Sequence, residues 1–210
     1  MSKSDFKILD GILVKYLGNS SKVIIPDCVT EIGKGVFMNN ENLKSVTIPG
    51  SVKKIWMDAF AGCTNLSELI LEEGIEFIGS YVFSDCMALK RVVIPKSVIF
   101  IGSRTFENCI YLENVALQEG LNHVGHRAFI NCRSLRSITV PDSLFEFGSL
   151  ALGFWVDYPT DYREQERCYP DLEFVILGSR KSVAESYAKV YEFKFKPVNR
   201  KKRSTNHGII

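Results

Sequence analysis

The feature that most constrains this chain is a pattern of apolar residues that recurs every 23 residues. One copy reads LKRVVIPKSVIFIGSRTFENCIY over residues 89–111. Its first leucine returns in neighbouring copies at Leu43, Leu66, Leu89, Leu112 and Leu135, and its phenylalanine at Phe37, Phe60, Phe83, Phe106 and Phe129. A fixed period of this length predicts a solenoid, in which each unit buries its apolar face only against its neighbours.

Each unit has two extended arms and a third, irregular side. The first arm follows L-x-x-V-x-I-P, whose proline lacks a backbone donor and therefore suits the end of a strand. The second arm follows V-x-x-I-G, and its glycine fits a position where the chain turns. Trp56 replaces this glycine once, so the turn does not strictly demand a left-handed backbone. The third side is too short for a full α-helix, and we expect one helical turn there.

The repeat pattern also gives the domain organisation. Residues 1–22 predict an N-terminal cap, with a short hairpin turning at Asp10-Gly11. The repeats occupy residues 23–152, and an insertion loop occupies 153–171. The insertion is inferred because the next first arm begins at Leu172, 14 residues after the position that the period gives.

The C-terminal part departs from the repeat. Residues 172–198 predict a final repeat followed by a C-terminal cap. Ser182 and Glu185 have the spacing of a capping box and predict a short helix. Residues 199–210, which include a run of four basic residues, are expected to form a disordered tail.

The repeat resembles the BspA-like class of leucine-rich repeats, with the pattern I-P-x-x-V-x-x-I-G-x-x-A-F-x-x-C-x-x-L-x-x-V/I-x-I-P. Two segments match it nearly completely, IPGSVKKIWMDAFAGCTNLSELIL and IPKSVIFIGSRTFENCIYLENVAL. The resemblance implies a mostly β, right-handed and curved solenoid with short helical turns and a cap at each end. It also implies a bacterial or mucosal-parasite origin and a role in adhesion or in binding host proteins.

Composition and charge exclude several classes of partner. The chain is 46% hydrophobic and 24% charged, and its net charge of +2 is too small to predict nucleic-acid binding. No apolar run approaches the ~20 residues that span a bilayer, so we expect no membrane insertion. The N-terminus lacks the apolar core of a secretory signal, which favours the cytoplasm. The resemblance instead favours the cell surface or secretion if the chain is a piece of a longer protein.

Four of the six cysteines share one repeat position, namely Cys63, Cys86, Cys109 and Cys132. They should stack at about the strand spacing of ~4.8 Å, which is compatible with disulfide formation. Their side chains would point in parallel, however, and cysteine is often buried as a small apolar residue. We therefore favour a buried ladder of free thiols over disulfides, and favour a zinc site least, because no C-x-x-C pair is present.

The sequence contains no nucleophile motif and no phosphate-binding loop, and it predicts neither an enzyme nor a bound cofactor. His123, His126 and Glu146 could together form a weak metal site, but exposed surface residues are the favoured interpretation and no metal is expected. The acidic residues of the insertion could bind a cation, but a solvated loop face is the favoured interpretation; they are Asp157, Asp161, Glu164 and Glu166.

The candidate binding residues lie at variable positions of the second arm. One row, just before the buried Ile or Val, reads Glu31, Lys54, Phe77, Phe100, His123 and Glu146, and the adjacent row contains Ile99 and Phe145. We expect Phe77, Phe100, Ile99, His123 and Phe145 to lie outside and to form a surface that binds a protein or glycan. The alternative is that curvature, a cap or a second copy of the chain covers them, in a structural or self-assembling homo-oligomer.

Overall fold

The computed structural model of the protein describes residues 5–157 and 166–198. Residues 6–16 form an antiparallel hairpin of β1 (Phe6–Leu9) and β2 (Ile12–Tyr16). Its turn residues, Asp10 and Gly11, have φ values of +48° and +80°. These are the left-handed values that a two-residue Asp-Gly turn adopts, so the hairpin follows from that dipeptide.

The two arms of each repeat form two series of short parallel strands. The described residues contain first-arm strands β3 (Lys22–Ile24), β5 (Ser45–Ile48), β7 (Glu68–Leu71), β9 (Arg91–Val93), β11 (Asn114–Ala116), β13 (Ser137–Thr139) and β17 (Val175–Gly178). They contain second-arm strands β4 (Glu31–Ile32), β6 (Lys54–Ile55), β8 (Phe77–Ile78), β10 (Phe100–Ile101), β12 (His123–Val124) and β14 (Glu146–Phe147). The mostly β solenoid predicted from the repeat is confirmed.

The second-arm strands and the N-terminal hairpin form one 8-stranded sheet, in the order β1-β2-β4-β6-β8-β10-β12-β14. The first-arm strands form a 3-stranded sheet, β3-β5-β7, and a 5-stranded sheet that runs from β9 through β11, β13 and β17 to the final strand β18 (Lys194–Pro197). The register between neighbouring strands equals the repeat length, so that Phe77 pairs with Phe100 and Phe100 with His123. Residues at one repeat position therefore stack along the solenoid.

The core contains one such stack, made by the phenylalanines of the repeat. Neighbouring ring centroids lie 4.8 Å apart for Phe37–Phe60, 5.5 Å for Phe60–Phe83, 5.4 Å for Phe83–Phe106 and 5.1 Å for Phe106–Phe129. Tyr16 of β2 adds a ring 4.8 Å from Phe37. The hairpin thus covers the end of the aromatic stack that would otherwise be exposed.

The third side is a run of hydrogen-bonded turns in place of a single helical turn. Two residues in each coil have positive φ, as Arg104 (+54°) and Asn108 (+58°) do. A left-handed residue cannot continue an α-helix, so each of these residues starts a new turn. Asparagine and aspartate tolerate this conformation best, which explains their recurrence at Asn39, Asp85, Asn108 and Asn131.

The glycine after each second arm is explained by close packing between coils. A Cβ at Gly125 would lie 2.5 Å from the carbonyl carbon of Gly102, well inside the van der Waals distance. Neither glycine has a positive φ. The glycine therefore allows two backbones to approach, whereas the coil at Trp56 accommodates a side chain because Trp56 extends outward and is 40% exposed.

The cysteines of the repeat are free thiols in the core. Each donates a hydrogen bond to a phenylalanine carbonyl of the preceding coil, with Sγ to oxygen distances of 3.1 Å for Cys63, 3.4 Å for Cys86, 3.2 Å for Cys109 and 3.2 Å for Cys132. Burial raises the pKa of the Cys63 thiol to about 12. The stack is therefore a column of protonated thiols, each bonded to the backbone.

The insertion contains two strands that the repeat pattern did not reveal. β15 (Phe154–Asp157) and β16 (Arg167–Pro170) pair antiparallel, and β15 alternates between buried Phe154 and Val156 and exposed Trp155 and Asp157. The described part of the predicted insertion loop, residues 153–171, is thus a strand pair and not a loop throughout. Asp161 and Glu164 lie outside the described residues, as does the basic tail.

Helix α1 (Val183–Val190) follows the last first-arm strand, β17, in the chain. Its N-cap Ser182 accepts a hydrogen bond from the Glu185 N–H at 3.4 Å, as the capping-box spacing predicts. The Tyr187 hydroxyl donates to the Leu152 carbonyl at 3.3 Å and fastens the helix to the last coil. Within the described residues, no helix has the length and apolar character needed to cross a membrane.

Candidate functional site

The second-arm sheet carries a continuous row of stacked rings on its outer face. The Phe77 and Phe100 centroids lie 5.0 Å apart with 5° between the ring planes. The Phe100 and His123 centroids lie 4.7 Å apart with a 4° angle. Trp56 extends the row, since its ring lies 5.8 Å from Phe77. We call Trp56, Phe77, Phe100 and His123 the aromatic ladder.

The ladder follows directly from the register of β8, β10 and β12. Phe77, Phe100 and His123 occupy one repeat position, and their strands pair residue for residue. The spacing of parallel strands, ~4.8 Å, is close to the separation at which aromatic rings stack. The rings are consequently held in place by the backbone of a continuous sheet.

Polar groups hold the first end of the aromatic ladder. The Trp56 indole Nε1–H donates to Glu31 Oε2 at 2.7 Å. Lys54 Nζ lies 3.7 Å from Glu31 Oε1 and 5.6 Å from the centroid of the Trp56 ring. Glu31 thus fixes the orientation of the indole and places the lysine charge over its face.

The other end is formed by His123 and Glu146. His123 Nδ1 lies 3.1 Å from Glu146 Oε2, so the imidazole pairs with a carboxylate on one side and stacks on Phe100 on the other. His126 has a different partner, because its Nδ1 lies 2.7 Å from Ser149 Oγ. Its pKa is lowered, first by burial and then by the charge of Arg127.

The two histidines and Glu146 therefore do not converge on one point. Across residues 5–157 and 166–198, no group of three or more His, Cys, Asp or Glu side chains could hold a metal ion.

The structure brings three of the five predicted residues into direct contact. Phe77, Phe100 and His123 are half-buried members of the aromatic ladder. Ile99 and Phe145 lie in the adjacent row and are 47% and 69% exposed. They occupy the same repeat position two coils apart, with Asn122 between them, and so extend the surface without joining the stack.

Sequence reasoning missed Trp56. It stands at the repeat position of the glycine. The other copies have no side chain there, so the period does not predict where the Trp56 side chain points. The available signal was its place, one coil before Phe77 and within one turn of the row that contains Phe77 and Phe100.

The stacking determines which part of each ring a partner can reach. Phe100 has a parallel ring on each of its faces, and Phe77 has Phe100 on one face and Trp56 near the other. The faces are thus covered by neighbours, and the ring edges form the accessible surface. The aromatic ladder offers a narrow, rigid apolar ridge with a charged group at each end.

The fold defines the class of protein: a solenoid of leucine-rich repeats with two strands in each coil. A family model described as "BspA type Leucine rich repeat region" matches residues 16–153 in 6 copies. The chain belongs to this family. No curated protein sequence matches the chain.

Solved structures agree with this assignment. The T. pallidum leucine-rich repeat protein TpLRR is 27% identical with a TM-score of 0.55, and the match covers 70% of this chain and 85% of that one. The pneumococcal vaccine antigen PcpA shares the fold with a TM-score of 0.66 at 17% identity, over 91% of this chain and 45% of PcpA. A leucine-rich repeat protein from Eubacterium ventriosum has a TM-score of 0.52 and 23% identity, over 72% and 48% of the two chains.

Proposed function

We propose that the chain is a non-enzymatic recognition module that binds a protein through the aromatic ladder. The observation that carries this proposal is the row of half-buried rings on a continuous 8-stranded sheet. A folded protein gains little by leaving stacked aromatics partly in water, whereas interfaces draw most of their energy from such anchors. The rigid sheet also means that few side chains must be ordered on binding.

The arrangement of the rings favours a protein over a glycan. A sugar packs against the open face of an aromatic ring, but both faces of Phe100 and one face of Phe77 are occupied by stacked neighbours, and Trp56 lies near the other face of Phe77. Ring edges carry the positive part of the aromatic quadrupole. They are suited to aliphatic side chains, to aromatic faces and to backbone carbonyls, all of which an extended protein segment supplies.

The charges at the ends of the aromatic ladder define the rim of the binding surface. Glu31 and Lys54 pair with each other at one end, and Glu146 is paired with His123 at the other. Rim charges of this kind contribute to specificity and to association rate more than to affinity. Exposed Ile99 widens the apolar centre between them.

Peptide selection provides a test of this proposal. Peptides from a random displayed library that bind the wild-type chain should lose at least tenfold in affinity for the double variant Phe77→Ser, Phe100→Ser, because two central anchors are removed. Tyr111→Ser is the matched control: Tyr111 is an aromatic residue of the same array and is 57% exposed. Its affinity for the same peptides should change less than twofold. Circular dichroism would verify that both variants are folded.

Two results would count against the proposal. If the selected peptides bind the double variant and the wild type equally, the aromatic ladder is not the recognition surface. If the wild-type chain is a dimer in light scattering and the double variant is a monomer, the rings serve self-association, and the chain is an assembly unit instead. An adhesive role at a bacterial cell surface, which the family resemblance favours, requires that the double variant bind the selected peptides more weakly than the wild type does.

A further inference from the structure

A second site lies about one coil beyond the aromatic ladder, where the insertion hairpin meets the last regular coil. We propose that this junction pocket binds an apolar residue that carries a free carboxylate, either as a free amino acid or as the C-terminal residue of a protein. The inference is independent of the function assigned to the aromatic ladder, because the pocket is lined by different residues.

The pocket exists because the thiol column stops at Cys132. The next residue at that repeat position is Trp155, whose side chain is 42% exposed and leaves the column. Cys132 is 7% exposed, whereas Cys63, Cys86 and Cys109 are fully buried. The space that a further thiol and its coil would fill is therefore open beside Cys132.

The floor of the pocket is apolar. It is formed by the buried side chains of Phe129, Leu135, Phe154 and Phe174. Its volume is about 120 Å³, slightly smaller than an engineered apolar cavity of ~150 Å³ that binds benzene. The floor of the pocket therefore accepts a single ring or a branched aliphatic group and excludes larger side chains.

Backbone contacts make this floor rigid. Gly153 has a φ of +74°, and a Cβ there would lie 2.8 Å from the Phe193 ring and 3.1 Å from Phe174. The Asp171 N–H donates to the Gly153 carbonyl at 2.8 Å, which joins the two ends of the insertion. The pocket is thus built into the junction by residues on both sides of the insertion.

The rim carries two guanidinium groups and one carboxylate. Arg136 Nη1 lies 3.1 Å from Asp171 Oδ2, and Asp171 is itself fixed by accepting the Glu173 N–H at 3.1 Å. The Arg133 guanidinium lies over Trp155, 5.5 Å from the ring centroid. Within the described residues the Arg133 guanidinium has no hydrogen-bond acceptor, so its side-chain donors are available to a ligand.

This balance of charge selects an anion. Asp171 compensates one of the two arginines that line the pocket, and the second is uncompensated there; Asp157 borders neighbouring depressions beside Arg133 but does not line this pocket. A guanidinium binds a carboxylate through paired N–H donors. A carboxylate a few bonds from an apolar group would reach Arg133 while the apolar group fills the floor.

The two tryptophans of the chain allow a direct assay. Trp155 lines the pocket and Trp56 does not, so in the Trp56→Phe background the fluorescence reports on the pocket alone. N-acetyl-phenylalanine should produce a saturable change in emission. Its amide, which has the same ring without the charge, should bind about tenfold more weakly because a charge-assisted hydrogen bond is lost.

Three variants of that background complete the test. Arg133→Gln should weaken the acid about tenfold and leave the amide unchanged. Cys132→Leu, which fills the pocket, should abolish binding of both. Arg91→Gln removes an exposed arginine elsewhere on the array and should change neither affinity.

Titrations with free phenylalanine and with a tetrapeptide ending in phenylalanine distinguish the two sources. If free phenylalanine binds and the tetrapeptide does not, the pocket is assigned to free amino acids. Equal or tighter binding of the tetrapeptide would assign it to protein C-termini. The proposal is overturned if the acid and the amide bind equally, if Cys132→Leu binds both as the wild type does, or if no saturable change occurs.

Discussion

The buried stack of phenylalanines and the aromatic ladder predict losses of stability of different size for the same substitution in one coil. Phe106 belongs to the buried stack and is fully buried, with neighbouring rings at 5.4 and 5.1 Å. Phe100 belongs to the aromatic ladder and is half-buried. Both are flanked by the same coils, so a difference between Phe106→Ala and Phe100→Ala does not arise from position along the array.

The magnitudes follow from burial. Phe106→Ala should reduce the free energy of unfolding by about 3–5 kcal/mol, the usual cost of removing a core phenylalanine. For Phe100→Ala the expected loss is about 1–2 kcal/mol. It comprises roughly half of the ~1.5–3 kcal/mol gained by fully burying a phenylalanine side chain and a contribution from the two stacking neighbours. The predicted melting temperatures fall by roughly 10 °C and by roughly 4 °C.

Chemical denaturation monitored by circular dichroism would measure both losses. The slope of the free energy against denaturant concentration should stay unchanged in both variants if the array unfolds as one unit. Equal losses would refute the reasoning, because they would show that Phe100 is as much a part of the core as Phe106 and is not available to a partner.

The thiol column, the glycine stack and the insertion hairpin can each be tested separately. Burial raises the pKa of the Cys63 thiol from 9.0 to about 12, so the protonated thiol contributes fully to stability below pH 9, and this contribution is lost as the pH rises towards 12. The free energy of unfolding should therefore fall more steeply with pH over that range in the wild type than in Cys63→Ala. Equal slopes of the free energy against pH would contradict this. Gly125→Ala should lower the melting temperature by several degrees, since its Cβ would meet Gly102 at 2.5 Å; an unchanged value would show that the coils can separate freely. Asn131→Ala removes the acceptor of the Val156 N–H and should cost about 1–3 kcal/mol and speed proteolysis within the insertion, and unaltered cleavage would rule out this anchor.

The period of the sequence made most of the fold predictable. In a solenoid, residues at one repeat position must stack, so the columns that contain Phe106 and Cys109 follow from counting alone. The turns of the third side were harder to predict, because a segment this short can form either one helical turn or several turns that contain left-handed residues. The recurring Asn108 and Asn131 were the available signal for the left-handed residues.

The candidate site also has a part that the sequence period predicts and a part that it does not. Phe77, Phe100 and His123 share a repeat position, and their contact follows from the register. Trp56 stands outside the pattern, and its direction depends on local hydrogen bonding to Glu31. The junction pocket could not be predicted, because it arises where the register ends and Trp155 turns outward.

Isoleucine methyl groups provide the most direct measurement of where a partner binds. Ile99 lies beside the aromatic ladder and is 47% exposed, whereas Ile70 lies on the first-arm strand β7 and is 44% exposed, so the two are matched probes on different sheets. In methyl NMR spectra recorded with a selected peptide, the Ile99 signal should shift and the Ile70 signal should stay in place. A shift of Ile70 with an unchanged Ile99 would place recognition on the first-arm face and would contradict the assignment of the aromatic ladder as the binding surface.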